Sequence, residues 1–150
     1  MNDFTYYNPT KIEFGKAKEN NIGQYIKDSG VKSVLILTGS SRIKDNGVFK
    51  RVTDSLDSAG ITYKAVEGVV SNPLLWKVNE AIKVAKDNNL EAVLGLGGGS
   101  VADSAKAIAA GAMYDGDVWD FFIQKAVVTK ALKVFTIMTL AATASEIDRK

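Results

Sequence analysis

The chain has 150 residues, 46% hydrophobic and 24% charged, a composition that supports a buried core and excludes a disordered or fibrous protein. Nineteen basic residues against seventeen acidic ones leave a net charge of +2, too small to point to nucleic acid or another polyanion as partner. The absence of cysteine and histidine excludes a disulfide frame, a thiolate zinc site, a Ser-His-Asp triad and the commonest metal ligand.

In chain order, Phe4–Tyr7 and Lys11–Phe14 read as two short strands separated by Asn8-Pro9, an N-terminal β-hairpin. Residues 21–28 place Ile22, Tyr25 and Ile26 at helical spacing. Val34–Leu37 is a continuous apolar run, which marks a strand buried on both faces. Val48, Val52, Leu56 and Ala59 give a helical face, and Ile61–Val66 alternates like a strand. Leu75, Val78, Ile82 and Ala85 give another helical face, followed by a second buried strand at Ala92–Leu96. An alanine-rich helix at Val101–Ala110 and a strand at Val134–Met138 complete the pattern. Alternating strands and helices predict an α/β fold, a Rossmann-like parallel sheet with helices on both faces. No repeat, low-complexity run or linker divides the chain, so residues 1–150 are expected to form one domain. No run approaches the roughly 18 apolar residues of a membrane span, and the N-terminus lacks a secretory pattern. The expectation is a cytoplasmic chain with neither membrane nor nucleic-acid partner.

Ligands of parallel sheets sit at the carboxyl ends of the strands, and two segments there are chemically unusual. Gly97-Gly98-Gly99-Ser100 runs from a strand into a helix. Consecutive glycines let a ligand approach the backbone, and the helix start offers free N–H groups and a positive dipole end, a site suited to a pyrophosphate. The plainer reading is a helix cap, for which Ser100 and Asp103 have the capping-box spacing. The turn is neither the Gly-x-Gly-x-x-Gly fingerprint nor a P-loop, since no Gly-Lys-Ser/Thr follows the glycines. The second segment, Thr38-Gly39-Ser40-Ser41-Arg42, follows the first buried strand and carries no acid. An acid near such a turn bonds a ribose 2′-OH, whereas small residues and an arginine accept a 2′-phosphate, so this turn favours NADP over NAD. An ordinary polar turn is the alternative.

Together these segments resemble the N-terminal half of the iron-dependent (group III) alcohol dehydrogenases, in particular their bacterial butanol dehydrogenase branch. Tyr7-Asn8-Pro9-Thr10-Lys11-Ile12-Glu13-Phe14-Gly15-Lys16 resembles the start of that branch, and Ser71-Asn72-Pro73 the family's Asn-Pro after the third strand. Residues 97–106 resemble the main signature, residues 114–120 (Tyr-Asp-Gly-Asp-Val-Trp-Asp) a butanol-branch segment, and residues 139–148 the Thr-Leu-x-Ala-Thr-Gly-Ser-Glu-Met-Asp motif. The resemblance covers essentially the whole chain, and several motifs in order are far more specific than any one.

The resemblance implies a dinucleotide-binding domain in which Gly97, Gly98, Gly99 and Ser100 hold the pyrophosphate. Asp103 lies near the nicotinamide end, and Asn72, Thr139, Leu140 and Thr143 line the cleft. Glycine at Gly39 goes with NADP, and aspartate there with NAD. The family's iron or zinc is held by an aspartate and three histidines of a helical C-terminal domain. This chain lacks histidine, so no metal ligand and no catalytic residue is expected in it, and the chain alone is expected to show little activity. Family N-terminal strands pair between subunits, which implies a homodimer through Phe4–Tyr7. The implied function is hydride transfer between a primary alcohol or aldehyde and NADP(H), with NAD as second choice. A non-catalytic nucleotide-binding or dimerisation module is one alternative. A polyol dehydrogenase of related fold is another, against which residues 114–117 and Ser145-Glu146 argue. Two departures stand out: Ala144 replaces a usual glycine, and Met138 stands where many members have proline.

Other candidates favour plain readings. Asp115, Asp117 and Asp120 lack calcium-loop spacing and read as a solvated loop. Asp54 and Asp57 share a helix surface, and Trp76 and Trp119 are expected in the core or at a domain contact. Asp148 is not carried over as a metal ligand.

Overall fold

The computed structural model describes residues 8–72, 74–141 and 144–147. After a 3₁₀ turn at Lys18–Asn21 come α1 (Ile22–Asp28), β1 (Ser33–Thr38), α2 (Arg42–Asp45), α3 (Val48–Ala59) and β2 (Thr62–Val66). Then follow α4 (Leu75–Asp87), β3 (Ala92–Gly97), α5 (Gly99–Ala112), α6 (Trp119–Phe122) and β4 (Lys133–Met138). The four strands pair in parallel in the order β2-β1-β3-β4.

The continuous apolar runs follow from burial on both sheet faces. Successive side chains of a strand point to opposite faces. Val34 and Ile36, with Ala92, Leu94 and Leu96, pack against Ile22 and Ile26 of α1 and Val52 and Leu56 of α3. Leu35, Leu37 and Val93 pack on the other face against Val78, Ala81 and Ile82 of α4 and Val101, Ala105 and Ile108 of α5. Gly60, at φ +73°, ends α3 by letting Ile61 donate back to the Leu56 carbonyl at 2.9 Å, a Schellman-type stop.

Connectivity places the site. The chain steps from β1 outward to β2, then crosses back to add β3 on the other side of β1. The connections leaving the carboxyl ends of β1 and β3 therefore diverge, and ligands of open parallel sheets bind in the crevice this creates.

The structure corrects the strand expected at Lys11–Phe14. Residues 11–14 have no regular secondary structure, and Phe14 is 96% exposed. A strand needs a hydrogen-bonded neighbour, and among the described residues no strand pairs with these. The intended mate, Phe4–Tyr7, and the proposed homodimer contact through it lie outside the described residues. The four-residue helices α2 and α6 were not anticipated, because one helical turn leaves no periodic signal. Among the described residues, no helix is long and apolar enough to cross a membrane.

Candidate functional site

The turn between β3 and α5 assigns its glycines different tasks. A Cβ at Gly97 would stand 2.7 Å from Val101 Cγ2, and one at Gly95 would stand 3.3 Å from the Ala105 Cβ. These glycines let α5 lie close on the sheet. Gly98 is different. Its backbone is extended (φ −92°, ψ −168°), which any residue adopts, and a Cβ there would meet nothing within 4 Å. Neither conformation nor packing asks for glycine at this position. A side chain would only fill the open space at the mouth of the turn.

The start of α5 also leaves donors free. Val101 and Ala102 donate to the Gly98 carbonyl at 3.0 and 3.1 Å, while the N–H groups of Gly99 and Ser100 have no backbone acceptor among the described residues. The capping-box alternative does not hold. Ser100 lies inside the first turn, no side chain caps the helix, and the Ser100 carbonyl accepts from Ser104 Oγ at 2.8 Å. Asp103 is exposed one turn into the helix.

Facing this turn is the end of β1. Thr38 and Gly39 carbonyls accept from Val69 (3.1 Å) and Gly68 (3.3 Å), which ties the end of β1 to the segment that follows β2. A Cβ at Gly39 would lie 3.2 Å from the Val69 carbonyl oxygen and 3.4 Å from Val101 Cγ2. Gly39 and Gly97 thus close on the same Val101 side chain, which brings the two turns together. Gly39 therefore has a packing reason to be glycine, independent of any cofactor.

Ser40, Ser41 and Arg42 are exposed beyond it. The Ser41 carbonyl accepts from Lys44 N–H at 2.8 Å, so this segment is the first turn of α2. The Arg42 guanidinium has no partner among the described residues. One acid at this lip was missed in the sequence. Glu67 directly follows β2, and its carboxylate lies 2.6 Å from Lys44 Nζ. The usable signal was topological, because a parallel neighbour of β1 ends beside the turn that follows β1.

The remaining expected site residues divide. Thr139 is brought to the glycine turn, its N–H donating to the Gly97 carbonyl at 2.9 Å. Leu140 is exposed, and Asn72 is exposed in a left-handed conformation (φ 59°). Thr143 lies outside the described residues. Ser145 is buried, with its Oγ 3.2 Å from where a Gly99 Cβ would stand. The sequence motifs flagged Ser145 only as part of a longer resemblance, not as a neighbour of α5. Asn8 holds the same turn from the other side, its Nδ2 donating to the Ile147 carbonyl at 2.6 Å.

Ala144 has φ 62°, the left-handed region where a Cβ is costly. The family's usual glycine at this position thus has a backbone reason. Ala144→Gly is expected to stabilise the chain by about 1 kcal/mol. Chemical denaturation checks it, and an unchanged or lower midpoint would contradict the strain.

Residues outside this region are structural. Asp117 accepts from the Trp119 N–H at 2.8 Å. Asp120, expected in a solvated loop, is instead 8% exposed; it accepts from Tyr114 Oη at 3.0 Å and pairs with Lys125 at 3.2 Å. The hydrogen bond to Asp120 is the main cause that raises the Tyr114 pKa above the usual phenol value. Asp54 pairs with Lys50 on the surface of α3. Trp76 and Trp119 are 63% and 48% exposed, so neither is a core residue. Among the described residues, no group of three His, Cys, Asp or Glu could hold a metal ion.

Comparison with known proteins gives the same region a family context. Residues 9–149 match the profile of iron-containing alcohol dehydrogenases. The chain is 43% identical over 148 residues to a probable NADH-dependent butanol dehydrogenase of Bacillus subtilis, across 99% of this chain and 38% of that protein. It is also 43% identical over 149 residues to NADH-dependent butanol dehydrogenase A of Clostridium acetobutylicum, again 38% of that protein. Its fold is similar to the crystal structure of NADH-dependent butanol dehydrogenase A from Thermotoga maritima, with a TM-score of 0.92 and 53% identity over 95% of this chain and 36% of that one. A sulfoacetaldehyde reductase from Bifidobacterium kashiwanohense, solved with NAD+, superposes with a TM-score of 0.88 and 27% identity over 98% of this chain and 39% of that one. The chain thus spans about two fifths of the length of these relatives.

Proposed function

The chain belongs to the iron-containing alcohol dehydrogenase family, and we propose that residues 1–150 are the domain that holds a nicotinamide dinucleotide for hydride transfer to or from a primary alcohol or aldehyde. Gly98 carries this reading. It is a glycine that neither backbone nor packing demands among the described residues, at the start of a helix whose first N–H groups have no backbone acceptor among them. Those are the features that a pyrophosphate uses: close access to the backbone, unpaired donors and a positive dipole end.

The nicotinamide, when bound, supplies the carbon that accepts or gives the hydride. This chain's part is to bind and orient the cofactor. Gly99 and Ser100 donate to its pyrophosphate, Gly98 clears the approach, and Thr139 and Ser145 fix the turns on either side. No metal-dependent step is assigned to the described residues, since none of them forms a ligand group. The aromatic composition of Phe4–Tyr7 supports pairing between copies as part of the same proposal.

NADP(H) is the cofactor that Ser40, Ser41 and the unpaired Arg42 support, because a guanidinium and hydroxyls suit a 2′-phosphate. NAD(H) is the second reading. It is favoured by the names of the Bacillus and Clostridium relatives and by the packing reason for Gly39. Arg42→Ala separates them more cleanly than Gly39→Asp, whose Cβ would press on Val69 and Val101. Calorimetric titration is expected to show NADPH affinity falling about tenfold in Arg42→Ala with NADH affinity unchanged. An equal change for both nucleotides would contradict the assigned role of Arg42.

A further inference from the structure

The lip of the crevice brings two cations of α2 close to a carboxylate from the end of β2. Arg42 opens α2 with no partner among the described residues, Lys44 sits two residues further along, and Glu67 directly follows β2 with its Oε1 2.6 Å from Lys44 Nζ. The Gly39 carbonyl is tied to the Gly68 N–H at 3.3 Å, so the residue before Gly68 is fixed beside the turn after β1. Both side chains of the ion pair are about half exposed, Lys44 at 49% and Glu67 at 48%, and are open to a ligand. An ion pair that exposed contributes little to stability, on the order of 0–1 kcal/mol, so the fold does not depend on it.

We propose that Glu67, restrained by Lys44, determines how this chain chooses between NADP(H) and NAD(H). The inference rests on the nucleotide-binding reading and deepens it. The Gly39–Arg42 turn contains no acid to accept from a ribose 2′-OH, and Glu67 is the carboxylate the fold brings to that turn. A carboxylate has two oxygens, and the ion pair occupies Oε1, which leaves Oε2 available for a ribose hydroxyl. Against a 2′-phosphate the same carboxylate is repulsive, while Lys44 and Arg42 attract. The Lys44–Glu67 pair therefore balances the two cofactors. Removing Glu67 releases Lys44 from its ion pair and favours the 2′-phosphate. Removing Lys44 frees a carboxylate that favours the 2′-hydroxyl.

The test is titration of the unmodified chain, Glu67→Gln and Lys44→Met with NADPH and NADH, and with 2′,5′-ADP and 5′-AMP as fragments of the adenosine end. Glu67→Gln is expected to raise the NADPH-to-NADH affinity ratio about tenfold, and Lys44→Met to lower it by a similar factor. The fragment ratio should move in the same directions, and both shifts should shrink at high salt because the lip is exposed. Both variants should keep the parent's thermal midpoint, which shows that they fold. Dinucleotides that bind all three proteins with ratios within about twofold of each other would overturn the role of Glu67 and leave the binding reading standing. No binding of any nucleotide to the unmodified chain would overturn both.

Discussion

Gly23→Ala is expected to lower the thermal midpoint of the chain by roughly 6–12 °C, the cost of about 3 kcal/mol of overpacking in a protein of this size. Gly23 lies in the first turn of α1, directly on α3. A Cβ there would stand 2.1 Å from the Ser55 carbonyl oxygen and 2.6 Å from its carbon. Both are backbone atoms in the middle of a helix, so no rotamer change relieves the clash. The two helices would have to separate, and that would strain the Gly23 N–H bond to Ser55 Oγ (3.0 Å) and the Ser55 Oγ bond to the Asn20 carbonyl (2.7 Å). Helix propensity alone argues the opposite sign, since replacing glycine by alanine in a helix is worth about 1 kcal/mol in favour of the variant. Contact at 2.1 Å outweighs that gain. Differential scanning calorimetry decides the sign, and an unchanged or higher midpoint would show that the α1–α3 contact is not close-packed.

Gly98→Val is expected to do the reverse, leaving stability unchanged and weakening dinucleotide binding by at least about tenfold. The extended backbone at φ −92° accepts a β-branched residue, and among the described residues nothing lies within 4 Å of the new Cβ. It occupies the space in front of the free Gly99 and Ser100 N–H groups, where a pyrophosphate would lie. Gly97→Ala provides the contrast, because its Cβ presses on Val101 Cγ2 at 2.7 Å and should cost stability as well as binding. A stable Gly98→Val variant that binds nucleotide as well as the parent would contradict the assigned ligand position.

Much of the architecture was legible because two-sided burial writes itself into sequence. Val34–Leu37 and Ala92–Leu96 are apolar at consecutive positions only because α1 and α3 take one face and α4 and α5 the other. The glycine turn was legible because three adjacent glycines exceed what a helix start needs. What each glycine does was not legible, since that depends on residues distant in the chain or on empty space. Gly23 is fixed by Ser55, 32 residues away, Gly99 faces Ser145, and Gly98 faces none of the described residues. Gly39 shows the cost of this blindness. Cofactor chemistry explained it from sequence, yet the Val69 carbonyl and Val101 also crowd any Cβ there. Lys11–Phe14 has strand composition but no partner strand among the described residues. Glu67 escaped notice because it becomes part of the site only through the parallel pairing of β1 and β2.

The central claim is that the crevice between β1 and β3 holds a nicotinamide dinucleotide. Calorimetric titration of the 150-residue chain with NADPH, and separately with NADH, tests it most directly. The account predicts saturable binding of one nucleotide per chain, tighter for NADPH. No measurable binding of either nucleotide at concentrations on the order of millimolar would contradict it.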